Sequence, residues 1–121
     1  MLYLRIAFCV KTTPNIAQSY NLDWADCISR YDSVDALVYC DPPYYQTAGY
    51  GVDFGLDQYV KMAEIAQGMQ GKMIISLNDC EAMREVFSGF EIEQLSIKYT
   101  TGKILAGEKR KESFELLIRN F

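Results

Sequence analysis

The chain has 121 residues, 50% of them hydrophobic, and a formal net charge of −4. That is sequence for one domain with one core, and no apolar run approaches the roughly 18–20 residues of a membrane-spanning helix. There is no histidine, and Cys9, Cys27, Cys40 and Cys80 are scattered without a C-x-x-C. This argues against a zinc site and against any Ser-His or Cys-His nucleophilic pair.

The opening "MLYLRIAFCV" is apolar with one internal arginine. It lacks the basic region and cleavage site of a signal peptide, and its length suits a short helix or a strand equally. A soluble, cytoplasmic chain with reduced, buried cysteines is expected. Residues 11–19, "KTTPNIAQS", are polar and contain Pro14, so they read as a connection. "YNLDWADCI" mixes a short extended piece with a turn at residues 23–26. "DALVYC", residues 35–40, reads as a buried strand stopped by two prolines.

Residues 56–69, "LDQYVKMAEIAQGM", predict a helix with an apolar stripe of Leu56, Val60, Ala63 and Ala66, Asp57 in its first turn and Gly71 closing it. "KMIISL", residues 72–77, is a second buried strand, and Asn78 or Asp79 then caps a helix carrying Met83, Val86 and Phe87. "FEIEQLSIKY" alternates with a phase slip near Glu93 and Gln94, which suggests a bulge. Residues 100–111 form a polar, basic loop, and "SFELLIRNF" is a final strand. The middle of the chain is thus strand–helix–strand–helix–strand, the pattern of a mostly parallel α/β sheet. The last two strands, joined without room for a crossover helix, are expected as an antiparallel pair at one edge.

Charge is uneven: from Lys98 onward there are six basic residues and three acids, which leaves −7 on the rest. A polyanion would meet the C-terminal part first, although a basic run such as 103–111 also suits a solvated loop.

The chemistry concentrates in "ALVYCDPPYYQTAGY", residues 36–50. Ligands of open parallel sheets sit beyond the carboxyl ends of the strands, and Asp41 lies at such an end. Pro42 and Pro43 have no N–H with which to continue a ladder, and the residue before a proline is pushed toward extended geometry. Tyr44 and Tyr45 add flat aromatic faces. An acid, free backbone carbonyls and a stacking plate can together grip a planar ring through its exocyclic amine. Asp41 also suits a strand-ending turn, and Tyr45, Tyr50 and Phe54 suit packing against the core.

D-P-P-Y resembles the catalytic motif of the amino-group DNA methyltransferases. "YCDPPYYQTAGY", "IISLNDCEAMREVFSGFEI" and "FELLIRNF" together resemble the catalytic half of the Dam-like, D12-class adenine-N6 methyltransferases, and "LYLRIAF" is similar to the segment that precedes that family's target-recognition region. The resemblance implies a partial Rossmann-like methyltransferase sheet, with residues 1–121 as a single truncated catalytic domain and 11–19 as a remnant of the recognition region. It implies S-adenosylmethionine as cofactor and double-stranded DNA with a flipped-out adenine as partner. Asp41, Pro42, Pro43 and Tyr44 would be catalytic, Asp26 and Asp41 would contact the cofactor, and Tyr44 and Tyr45 the base. Asp26 also suits a turn. Cys40 precedes the acid instead of following a proline, so the cysteine route of cytosine-C5 methylation does not apply.

The family's glycine-rich F-x-G-x-G is absent; Gly49, Gly51 and Gly55 follow the catalytic motif instead. Without the half that carries it, the "ALVYC" strand is expected to show an open apolar edge, which a companion chain, a swapped element or a second copy would cover. A non-catalytic protein that binds nucleic acid or a partner, and an amino methylase of another ring such as cytosine N4, are the alternative readings.

Overall fold

The computed structural model describes residues 5–10, 13–15, 23–45, 54–98 and 112–121. Its elements are β1 (Arg5–Val10), β2 (Thr13–Asn15), α1 (Trp24–Tyr31), β3 (Ala36–Asp41), α2 (Leu56–Gly68), β4 (Lys72–Asn78), α3 (Glu81–Val86), β5 (Glu91–Lys98) and β6 (Glu112–Arg119). The strands make one six-stranded sheet in the order β2-β1-β3-β4-β6-β5.

The expectation of a mostly parallel sheet is corrected. Only β3 and β4 pair in parallel; the other four pairings are antiparallel. Two strands cause this: β1 runs against both β3 and β2, and β6 inserts between β4 and β5 and runs against both. β3, β4 and β5 therefore share one direction, as the strand–helix alternation suggests, but β5 never touches β4. The antiparallel C-terminal pair is present, with β5 at the edge.

The open edge expected on β3 is also corrected. β1 pairs along all of β3, from Arg5↔Asp41 to Val10↔Ala36. The apolar opening segment is thus the strand that satisfies that ladder, and no bare β3 edge calls for a companion. The outer strand on this side is β2, only three residues long and containing Pro14; a short edge strand with a proline resists further pairing.

Among the described residues the helices share one face of the sheet. Trp24, Cys27 and Ile28 of α1, Tyr59, Met62 and Ala66 of α2, and Met83 of α3 with Phe87 just beyond it cluster with Val38, Cys40, Met73, Ile75, Leu77, Leu116 and Ile118. The turn expected at residues 23–26 is instead the start of α1. Its buried positions 24, 27 and 28 follow i, i+3, i+4 spacing, which a short aromatic and acidic window conceals.

The expected α2 stripe faces the core only in part: Ala66 is buried and Ala63 packs against the core, whereas Leu56 and Val60 are exposed and Tyr59 and Met62 are buried instead. Gly71 does not close α2, which ends at Gly68 with Met69 as its cap. Gly71 is buried because a Cβ there would stand 2.7 Å from the carbonyl oxygens of both Ser33 and Ala36. Its N–H and that of Gln70 donate to the Asp32 carboxylate at 2.8 and 2.9 Å. Nearby, Asn120 accepts from the Met73 N–H at 2.7 Å and donates to the Ala66 carbonyl at 2.8 Å. These bonds tie α1, α2, β4 and the C-terminal end of β6 together at the end of the sheet remote from Asp41.

No bulge interrupts β5. Its register with β6 steps evenly from Glu91↔Arg119 to Lys98↔Glu112. The phase slip in the sequence marks a strand whose apolar residues change face, Ile92 packing against the core and Leu95 standing on the other side. No described helix is long and apolar enough to cross a membrane.

Candidate functional site at the carboxyl end of β3

β3 alternates cleanly. Ala36, Val38 and Cys40 are buried against the helices, whereas Leu37, Tyr39 and Asp41 take the opposite face. Asp41 is the last residue of the strand and half-buried. β3 ends there because Pro42 and Pro43 cannot donate to a ladder.

The loop that follows is held at three points. The Tyr59 hydroxyl donates to the Pro43 carbonyl at 2.5 Å. Asn78 grips Tyr45 by its backbone, accepting from its N–H at 2.9 Å and donating to its carbonyl at 3.1 Å. The Tyr44 hydroxyl donates to Glu115 Oε1 at 2.7 Å, and the Ser76 hydroxyl donates to that same oxygen. Three separate elements, α2, β4 and β6, thus fix three consecutive residues of loop, Pro43 to Tyr45.

The two tyrosines diverge. Tyr44 reaches Glu115, which lies with Asp41 and Ser76 on the face away from the helices. Tyr45 turns toward the helix layer, its ring edge-on to Tyr59 with centroids 5.8 Å apart. Phe54 meets the same Tyr59 ring at 5.0 Å. The structure therefore brings Asp41 and Tyr44 to one face and sets Tyr45 and Phe54 behind them as packing. The Pro43 carbonyl accepts from Tyr59, and Pro42 is buried.

Asp26 is exposed in the first turn of α1. That turn lies at the same end of the sheet as Asp41. Trp24 donates its indole N–H to Gln58 at 2.9 Å, and its ring packs 6.4 Å from Phe54. Both contacts involve the start of α2 or the residues just before it. Tyr50, Gly49, Gly51 and the basic run 103–111 lie outside the described residues, as does most of segment 11–19. A cleft lined by Met69, Lys72, Phe90, Arg119 and Phe121 sits at the other end of the sheet, away from Asp41.

Burial, and secondarily Cys27, pushes the Cys40 thiol up to about 12, so the cysteine beside Asp41 stays a protonated core residue and not a nucleophile. Burial likewise pushes the Tyr59 hydroxyl up to about 12, which keeps it a donor to Pro43. Neither Asn78 nor Asp79 caps α3, whose cap is Cys80 without a side-chain bond. Asp79 instead accepts from Arg84 at 2.6 and 2.9 Å and from Gln94 at 2.6 Å. The Arg84 guanidinium holds the Asp79 carboxyl below the usual range.

Sequence reading missed Tyr59, Ser76, Asn78 and Glu115 as supports of the loop. One signal was available: a serine inside "KMIISL" and a glutamate inside "FELLI" are polar residues in apolar strands, and such residues need partners.

The chain from residue 10 to residue 101 matches the family model described as D12 class N6 adenine-specific DNA methyltransferase. The chain belongs to this family. Among curated proteins, none matches it. The D12 family conventionally uses S-adenosylmethionine. Asp41 and Asp26 lie at the same end of the sheet. The sequence holds no F-x-G-x-G to cradle the methionine end.

Proposed function

We propose that this chain carries the base-gripping part of S-adenosylmethionine-dependent adenine-N6 methylation in double-stranded DNA. The observation that supports the reading most strongly is the shared face of Asp41 and Tyr44 at the end of β3, with the loop between them braced from three elements. The common direction of β3, β4 and β5, with helices between them, supports reading the sheet as a partial Rossmann-like one.

In this reading an adenine flipped from the duplex stacks on Tyr44. The Asp41 carboxylate and the Pro42 carbonyl accept its two N6 hydrogens. That pulls the amine toward tetrahedral geometry, frees its lone pair and stabilises the positive charge that develops on nitrogen. S-adenosylmethionine, when bound, supplies an electrophilic methyl group, so no protein nucleophile is required. Pro43 stiffens the loop, and Tyr45 packs behind the plate. Asp26 would hold the adenosyl end of the cofactor. The missing glycine-rich motif makes a companion carrying it part of the proposal. Such a companion would sit on the sheet face that no described helix covers, where Leu37, Ile74 and Leu117 are half-buried and Tyr39 is exposed.

Tritiated-methyl transfer to unmethylated DNA, with a glycine-rich half from the family supplied in trans, tests the reading. Transfer is expected, and Asp41→Ala is expected to lower it at least about a hundredfold. Transfer undiminished in Asp41→Ala contradicts it. Salt-sensitive DNA binding without any transfer supports the non-catalytic reading instead.

A further inference from the structure

Ser76 lies in the middle of β4 and is only 3% exposed. A buried hydroxyl needs an acceptor. Glu115 provides it, and the same oxygen, Oε1, takes the Tyr44 hydroxyl at 2.7 Å. These contacts are long-range: Tyr44 and Glu115 stand 71 positions apart in the chain, and Ser76 and Glu115 stand 39 apart. β6 places Glu115 opposite Asn78, the residue that clamps the Tyr45 backbone. One carboxylate thus ties the tip of the motif tyrosine to the centre of the sheet.

A tyrosine ring attached only at its Cβ turns about two torsions, and a bond at its far end removes most of that freedom. A stacking plate works best when its plane is set before the base arrives. We propose that Glu115, itself seated by Ser76, is a positioning residue that fixes the plane of Tyr44 for the incoming adenine. The inference rests on the methyltransferase reading of Tyr44. It assigns Glu115 no contact with base or cofactor.

The two bonds share one acceptor atom, which makes the proposal selective. Glutamine keeps an Oε1 acceptor in the same place and preserves the brace, whereas alanine removes it. The test uses the full chain carrying 3-fluorotyrosine, with the Tyr44 signal identified by its loss in Tyr44→Phe. In Glu115→Ala the Tyr44 fluorine resonance is expected to shift and narrow, and in Glu115→Gln to stay near its original position. In the methyl-transfer assay described above, Glu115→Ala is expected to slow turnover at saturating cofactor about tenfold, the equivalent of one lost hydrogen bond. The KM for S-adenosylmethionine should not change.

Once Tyr44→Phe has removed the hydroxyl, Glu115→Ala should slow turnover no further, because the side-chain bond that Glu115 still holds, the one from Ser76, does not reach the ring. A role in stability alone would give additive losses. If Glu115→Ala does not fold, the pair Ser76→Ala with Glu115→Leu removes the Ser76 hydroxyl together with its acceptor and carries the same measurements. An unmoved Tyr44 resonance, or additive losses, overturns the proposal. The resonance needs neither DNA nor cofactor. A resonance that moves as expected while every variant, wild type included, fails to transfer methyl overturns the catalytic role through the failure of the methyltransferase reading, and leaves the contact standing.

Discussion

A tyrosine hydroxyl can hold a backbone carbonyl only while it keeps its proton. Tyr59 keeps its proton unusually long: burial, helped by Cys80 and Tyr45, raises it from 10.0 to about 12. Its folded value lies above its ordinary one, so the unfolded chain releases the proton first. The stability that Tyr59 contributes is therefore whole below about pH 10 and is lost as pH rises toward 12. Denaturant titrations across this window should show stability falling with pH, and the fall should be smaller in Tyr59→Phe. At neutral pH Tyr59→Phe should itself cost about 1 kcal/mol, the worth of one hydrogen bond, and should slow methyl transfer by loosening Pro43. A stability unchanged by pH in the wild-type chain would contradict the buried bond. At this scale the motif was legible and its supports were not. D-P-P-Y is contiguous, whereas Tyr59, Asn78 and Glu115 come from three other elements and reach the loop only through the tertiary fold.

Elements were easier to find than to orient. The strands at 36–41 and 72–78 and the helix at 56–68 follow from apolar runs, prolines and glycines, because those signals are local. The full buried face of α2 was not legible, since Leu56 and Val60 are as apolar as Met62, and packing alone decides which side faces the core. α1 was missed because its buried Trp24, Cys27 and Ile28 sit in a short stretch with Asp23 and Asp26, acids that also suit a turn. Gly71 shows a different limit. The sequence offers a helix-closing glycine, while the structure needs it for clearance from the Ser33 and Ala36 carbonyls. Those contacts are backbone and cannot swing aside, so Gly71→Ala should destabilise the chain by about 1–3 kcal/mol. Thermal unfolding measures this; a neutral substitution would mean that the β3–β4 approach is looser than the structure has it.

The whole sheet depends on where the last strand goes. β6 runs against both β4 and β5 and buries Ile118 between their registers with Ile75 and Ile92. No local pattern in "SFELLIRNF" distinguishes an inner strand from an edge, so the insertion of β6 between β4 and β5 could not be read in advance. If β6 is internal, Ile118→Ala should lose about 2–5 kcal/mol in a urea titration with an unchanged slope; a loss below about 1 kcal/mol would place β6 at an edge. The same insertion brings Glu115 to Tyr44, so the topology of the sheet and the stiffness of the Asp41–Tyr45 loop stand or fall together. Nucleoside analysis of DNA methylated in the presence of the chain and a glycine-rich half tests the grip most directly. N6-methyladenine should accumulate with wild-type chain and be nearly absent with Asp41→Ala. N4-methylcytosine as the product, or N6-methyladenine at undiminished level with Asp41→Ala, would contradict it.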